Sequence, residues 1–221
     1  MARYIGVDGF RLGWVAAWID DTGNQGFDYS PNIECLLSLS HRRAMIDIPI
    51  GLPDTGHREC DVQARRRLGT SVFLGARRNL LEFRSQADAN QHYWSFEGKG
   101  MGVSAQLWNI REKIKEVDGI VTPDRQMRLC ETHPELIFQT RNRNELLNGK
   151  KTEAGRQQRL AILRRLGFTQ IDHWLELRFR TGIGRDDLID ACVCAIAARD
   201  ATSKIGGANL DSRGLRMEIH F

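Results

Sequence analysis

The chain has 221 residues, 41% hydrophobic side chains, a formal net charge of +4 and a sequence pI near 8.9. That length allows one full core, or one core carrying a large insertion, and one domain spanning residues 1–221 is expected. No run approaches the roughly 18 apolar residues of a membrane span, and the first residues enter a strand without a basic-then-apolar leader, so a cytoplasmic protein away from the membrane is expected.

The five cysteines, Cys35, Cys60, Cys130, Cys192 and Cys194, are odd in number and contain no C-x-x-C pair. Reduced core thiols are expected, with neither a zinc site nor a disulfide framework. The mild basic excess permits nucleic-acid contact but is common in proteins that make none.

The segment Arg3 to Gly13, RYIGVDGFRLG, is an apolar run with one carboxylate, Asp8, before a glycine turn. Period-two alternation puts Ile5 and Val7 on one face and Tyr4, Gly6 and Asp8 on the other. Gly9 and Gly13 bracket a reversal into a second strand, Trp14 to Ile19, giving a hairpin. A buried carboxylate is costly unless it is paired or coordinates a cation. The plain alternative is an aspartate capping a β-turn.

Gln25 to Tyr29 follows as a third strand. Ser30-Pro31 predicts a helix start, with Ile33, Leu36, Leu37 and Ser40 at helical spacing and Arg42 and Arg43 closing it. Ala44 to Ile50, AMIDIPI, is a strand carrying one acid, Asp47, and it is stopped by Gly51-Leu52-Pro53. This order predicts a mixed sheet in which the first strand and the Asp47 strand are neighbours. Neighbouring strands lie about 4.8 Å apart, so carboxylates on one face are close enough to share a divalent cation.

Between His57 and Lys113 ten cationic side chains stand against six acidic ones, an excess equal to that of the whole chain. Arg58 to Leu68 is predicted as a helix ended by Gly69, with Asp61 and Arg65 able to pair. SVFLGARRN and FEGKGMG read as loops, and Ser104 to Val117 as a further helix. The arginines are either a solvated, internally paired face or a basic lip for phosphates.

Leu129 to Phe138, LCETHPELIF, reads as a strand with Glu131, His133 and Glu135 on alternate positions until Pro134 bends it. His133 beside Pro134 reads as a structural histidine. Thr152 to Leu166 is a helix closed by Gly167. In Gly184 to Asp200, GRDDLIDACVCAIAARD, the helix start carries Asp186, Asp187 and Asp190, with Ala191, Cys194, Ala197 and Ala198 as a small-residue stripe beneath. Acids in a first turn also serve as ordinary complements of the helix dipole. The polar, weakly strand-like Gly206 to Phe221 carries no motif.

Six segments in order carry a resemblance: YIGVDGFRLGWV around Asp8, IDIPIGLP around Asp47, RECDVQARRRLG from Arg58, QLWNIREKIKEVD from Gln106, ETHPELIF from Glu131 and DDLIDACVCAIAA from Asp186. They resemble the RNase H-like superfamily, and specifically the family of predicted RNase H-like nucleases known as domain of unknown function 429. The resemblance runs from about residue 3 to residue 200. One departure is the SVFLGARRN loop, where Gly75 stands in a stretch expected to hold prolines.

The resemblance implies an α/β fold with an RNase H-like mixed five-stranded sheet. Its order would be 3-2-1-4-5 with strand 2 antiparallel, helices on both faces, and a basic helical insertion after strand 4 at about residues 54–125. Holliday junction resolvases are similar at greater distance. In them two final-helix aspartates three apart join a first-strand aspartate and a fourth-strand acid to bind two Mg²⁺ or Mn²⁺. Asp187 and Asp190 match that spacing, Asp8 matches the first-strand acid, and Asp47 takes the fourth-strand place. Glu131 is added by the family's own pattern.

The expected function is metal-dependent hydrolysis of phosphodiester bonds in DNA or RNA, with Mg²⁺ or Mn²⁺ held by Asp8, Asp47, Asp187 and Asp190. Hard oxygen ligands suit these ions. Arg58, Arg65 and Lys113 would hold substrate phosphates. One rival is a nucleotide-binding phosphotransferase of the actin-like ATPase type, which shares the strand core but normally needs two such domains. Another is a non-catalytic nucleic-acid-binding module of the same fold.

Overall fold

Two strands joined by a two-residue turn begin the chain: β1 (Arg3–Phe10) and β2 (Gly13–Asp20) pair antiparallel from Arg3 opposite Asp20 to Phe10 opposite Gly13. The computed structural model describes residues 2–177 and 182–221. The elements that follow are β3 (Gln25–Ser30), α1 (Ile33–Leu37), β4 (Arg43–Ile46), α2 (Glu59–Leu68), α3 (Gln86–Phe96), α4 (Ala105–Ile120), β5 (Leu129–Glu131), α5 (Pro134–Arg141), α6 (Glu153–Arg165), α7 (Ile171–Glu176), α8 (Arg185–Asp200), β6 (Lys204–Leu210) and β7 (Arg216–His220).

The chain divides into two compact units. The first comprises residues 1–47, 128–203 and 220–221, and the second residues 48–127 and 204–219. The stretch expected as an insertion at about 54–125 lies within the second unit, which also takes in most of the C-terminal hairpin.

The first unit is built on a five-stranded mixed sheet of order β3-β2-β1-β4-β5. β2 is antiparallel to both of its neighbours, and β4 runs parallel to β1 and β5. That is the expected order with the expected antiparallel second strand. Ile5 and Val7 are fully buried on one face of β1.

On the other face lies α8, buried on every side from Leu188 to Ala198, as a helix without a polar face must be. It packs on β1, β2 and β4, and against α5, α6 and α7. Gly6 permits this approach, because a β-carbon there would collide with the α8 backbone at Ala191 and Ala195. The small-residue stripe read from the sequence is the surface that meets it.

Some local expectations need correction. The first helix is only five residues long and is capped by Asn32, whose side chain accepts from the Glu34 amide, so Ser30 belongs to β3 and Arg43 to β4. The run from Leu129 to Phe138 is not one strand. β5 stops at Glu131, and Pro134 opens α5 with His133 as its cap, because proline at the first helical position gives up only an amide that has no helical partner. Asp61 pairs with Arg58 rather than Arg65. All five cysteines are free, and Cys35 is exposed rather than in the core.

In the second unit, Gly75 has φ +101°, a conformation closed to proline, which accounts for glycine at that point in the loop. No helix among the described residues is long and apolar enough to cross a membrane.

Candidate functional site

The strand register decides which acids share a face. β1 and β4 pair with Gly6 opposite Met45 and Val7 opposite Ile46, and the Asp47 amide continues the ladder by donating to the Val7 carbonyl at 3.1 Å. The next step sets Asp8 beside Asp47. Both therefore lie on the face that Gly6 turns to α8. On that helix Asp190 is one position before Ala191, which Gly6 touches. Asp187 lies one turn earlier.

Electrostatics reports the same convergence. The Asp8 carboxyl is held well above its ordinary range by burial first, then by the charges of Asp47, Asp190 and Asp187, against a 2.7 Å bond from the Gly9 amide. Asp47 is raised by burial, opposed by His133 and Lys150. Asp190, only 4% exposed, is pushed up to about 7, mainly by burial, with Asp47 adding to it and Lys150 opposing it. The Cys194 thiol is raised by burial and by Asp47, Asp8 and Asp190, which places all three carboxylates around one stretch of α8.

Asp187 has a second occupation. Its Oδ2 accepts from the Gly184 amide at 2.7 Å and so caps α8. This is the structural role open to an acid in a first turn, and its charge still reaches Asp8.

Glu131 is placed differently. It pairs with Ile46, which pairs with Val7, so its side chain follows the row on the sheet face away from α8. The structure does not bring it among the other acids.

The proposed phosphate ligands all belong to the second unit. Arg58 is 1% exposed and forms an ion pair with Asp61 at 3.2 Å, so its charge is spent inside the fold and is not presented to a substrate. Arg65 is half-buried and donates to the Val72 carbonyl at 2.8 Å. Lys113 is half-buried on α4.

Lys150 escaped the sequence reading. Its Nζ lies 3.0 Å from Asp190 Oδ2, and its ammonium is raised above the ordinary lysine value first by Asp190 and also by Asp8 and Asp47. The turn that carries it is tied down. Buried Arg159 donates Nη1 to the carbonyls of Asn148 and Gly155 at 2.9 and 2.8 Å, and grips Glu135 through Nε and Nη2 at 3.0 and 2.6 Å. Thr152 Oγ1 donates to the Gly149 carbonyl at 2.8 Å. Glu135 is thereby paired with Arg159, though its charge still raises Asp47 and Asp190, and among the described residues Lys150 and His133 act against the raised acids.

Among the described residues, no three His, Cys, Asp or Glu side chains are drawn together as a finished metal cage. The donor chemistry nevertheless suits a hard divalent cation: Asp8, Asp47 and Asp190 supply oxygens, burial is the main reason their values are raised, with the charges of neighbouring acids adding to it, and a bound cation would relieve both.

An α/β chain with a 3-2-1-4-5 sheet, whose first-strand aspartate faces acids on the last long helix, is thus defined by fold and site. The family model described as "Protein of unknown function (DUF429)" matches residues 6–210, and the chain belongs to that family. No curated protein and no solved structure matched the chain.

Proposed function

We propose that this protein is a nuclease of the RNase H-like type that hydrolyses phosphodiester bonds in DNA or RNA with Mg²⁺ or Mn²⁺, acting in the cytoplasm. The observation that supports this reading most is that Asp8, Asp47 and Asp190 are each raised by burial, and that Asp8 and Asp190 are raised further by other acids of the group. Proteins hold like charges together at a cost to stability, and such arrangements concentrate at functional sites.

Asp8, Asp47 and Asp190 would hold the ion, with Asp187 at the helix start beside them. A bound divalent cation supplies a more acidic water and neutralises charge on the phosphate. The chain's own contribution is to keep the carboxylates fixed. The Gly9 amide orients Asp8, the β1–β4 ladder orients Asp47, and the packed core of α8 holds Asp190.

The purified protein is expected to cleave at least one member of a panel of single-stranded, duplex and branched DNA and RNA in Mg²⁺ or Mn²⁺, and to lose that cleavage in EDTA. No metal-dependent cleavage across the panel would overturn the proposal.

A further inference from the structure

Lys150 is the feature that metal-dependent hydrolysis by acids alone does not use. A lysine whose ammonium sits 3.0 Å from a buried carboxylate, with two more carboxylates acting on it, occupies the electrostatic position of a cation in the site. Its backbone is held on both sides, by Arg159 through Asn148 and by Thr152 through Gly149. The four-carbon stem is flexible by nature, and 43% of the side-chain surface is exposed. An anchored turn with a flexible charged tip can hold the acids in one state and release them in another.

We propose that Lys150 is the resident counter-cation of this site: its ammonium holds Asp190 in the metal-free protein, yields the carboxylate when a divalent cation enters, and then takes an oxygen of the substrate phosphate. This rests on the metal-dependent reading above and assigns a phosphate-binding residue to it. The charge logic is direct. One carboxylate oxygen cannot serve an ammonium and a divalent ion equally well, so the two cations compete. A phosphate brought to the ion would meet an ammonium no longer committed to Asp190.

The test compares full-length wild type with Lys150→Met, which keeps the stem and removes the charge, and Lys150→Arg, which keeps the charge. Mn²⁺ binding is measured by calorimetry, with no substrate present. Lys150→Met is expected to bind Mn²⁺ about tenfold tighter than wild type, the scale of a lost charge competitor beside a partly buried carboxylate. Lys150→Arg is expected to stay near wild type.

In Ca²⁺, a fluorescein-labelled single-stranded oligonucleotide that wild type binds is expected to bind Lys150→Met several-fold more weakly, with binding restored in Lys150→Arg. If wild type binds Mn²⁺ and Lys150→Met binds it no tighter, or if the oligonucleotide binds Lys150→Met as it binds wild type, the role of Lys150 is overturned while the metal site stands. If Mn²⁺ binds neither protein, the nuclease reading and the Lys150 role fall together.

Discussion

Two buried acidic sites, one in each unit, hold charge in opposite ways. In the second, Asp211 accepts from the amides of Leu52, Arg213 and Leu215 at 3.0, 2.9 and 2.9 Å and from Arg78 at 2.6 Å, and burial is outweighed so that its carboxyl stays below the usual range. Arg78 also holds Asp118 at 2.9 Å, and Arg77 pairs with Glu97 at 3.2 Å while stacking over Tyr93. In the first unit Asp8, Asp47 and Asp190 are all raised despite the charge of Lys150 and, at Asp47, of His133. A buried charge held by opposite charge is architecture, whereas a group of underpaired like charges destabilises the fold that keeps it. The difference locates the candidate site without a bound ligand to mark it.

That contrast predicts substitutions of opposite sign. Asp8→Asn is expected to lower metal-dependent cleavage by about 10³-fold, the scale of removing a group that acts on developing charge. In EDTA the same variant should melt higher than wild type, because one repelling carboxylate is gone. A lower melting temperature in EDTA would show that Asp8 is a stabilising turn cap. Asp211→Ala should do the reverse, losing about 3 kcal/mol in urea unfolding as three amides are left without their partner and Arg78 keeps only Asp118. Little loss there would erase the distinction between the two sites.

Much of this contrast was legible in the sequence on one side only. The β1–β2 hairpin, the Asp47 segment and α8 were readable because alternation, glycine turns and the DDLID spacing are local signals, and they carried Asp8, Asp47, Asp187 and Asp190. The boundary at His133-Pro134 was not, since an apolar run of that length suits strand or helix and the proline decides it only once α5 has something to pack on. Asn32 displaced Ser30 as a cap for a similarly local reason.

Lys150 lies forty residues from Asp190, between exposed Gly149 and Lys151, and no pattern within its own segment announces the contact. Arg58 misled in the other direction. A basic cluster in sequence does not reveal that one of its members is buried against Asp61. The helix α3, with its mixed polar and aromatic composition, was also missed between the stretches SVFLGARRN and FEGKGMG, both read as loops.

A smaller effect concerns pH. The folded value of Asp190, about 7, lies above its ordinary 3.8, so the folded state binds that proton more tightly than the unfolded chain. Its contribution to stability is therefore full below about pH 4, declines as pH rises, and is gone above pH 7. Relative to Asp190→Asn, wild type in EDTA should lose about 2 kcal/mol between pH 5 and pH 7 in urea titrations. A flat difference across that window would mean that Lys150 already compensates Asp190 fully, making the cluster resemble the paired network around Asp211.

The smallest effect falls on the turn that presents Lys150. Thr152 caps α6 by accepting from the Gly155 amide at 3.0 Å and also donates to the Gly149 carbonyl. Thr152→Ala should cost about 1 kcal/mol, as lost caps do. Because Arg159 still grips Asn148, the ammonium stays near Asp190, and Mn²⁺ affinity should rise by less than in Lys150→Met. Equal rises in the two variants would show that the turn, and not the lysine stem, is the part that gives way when a cation enters.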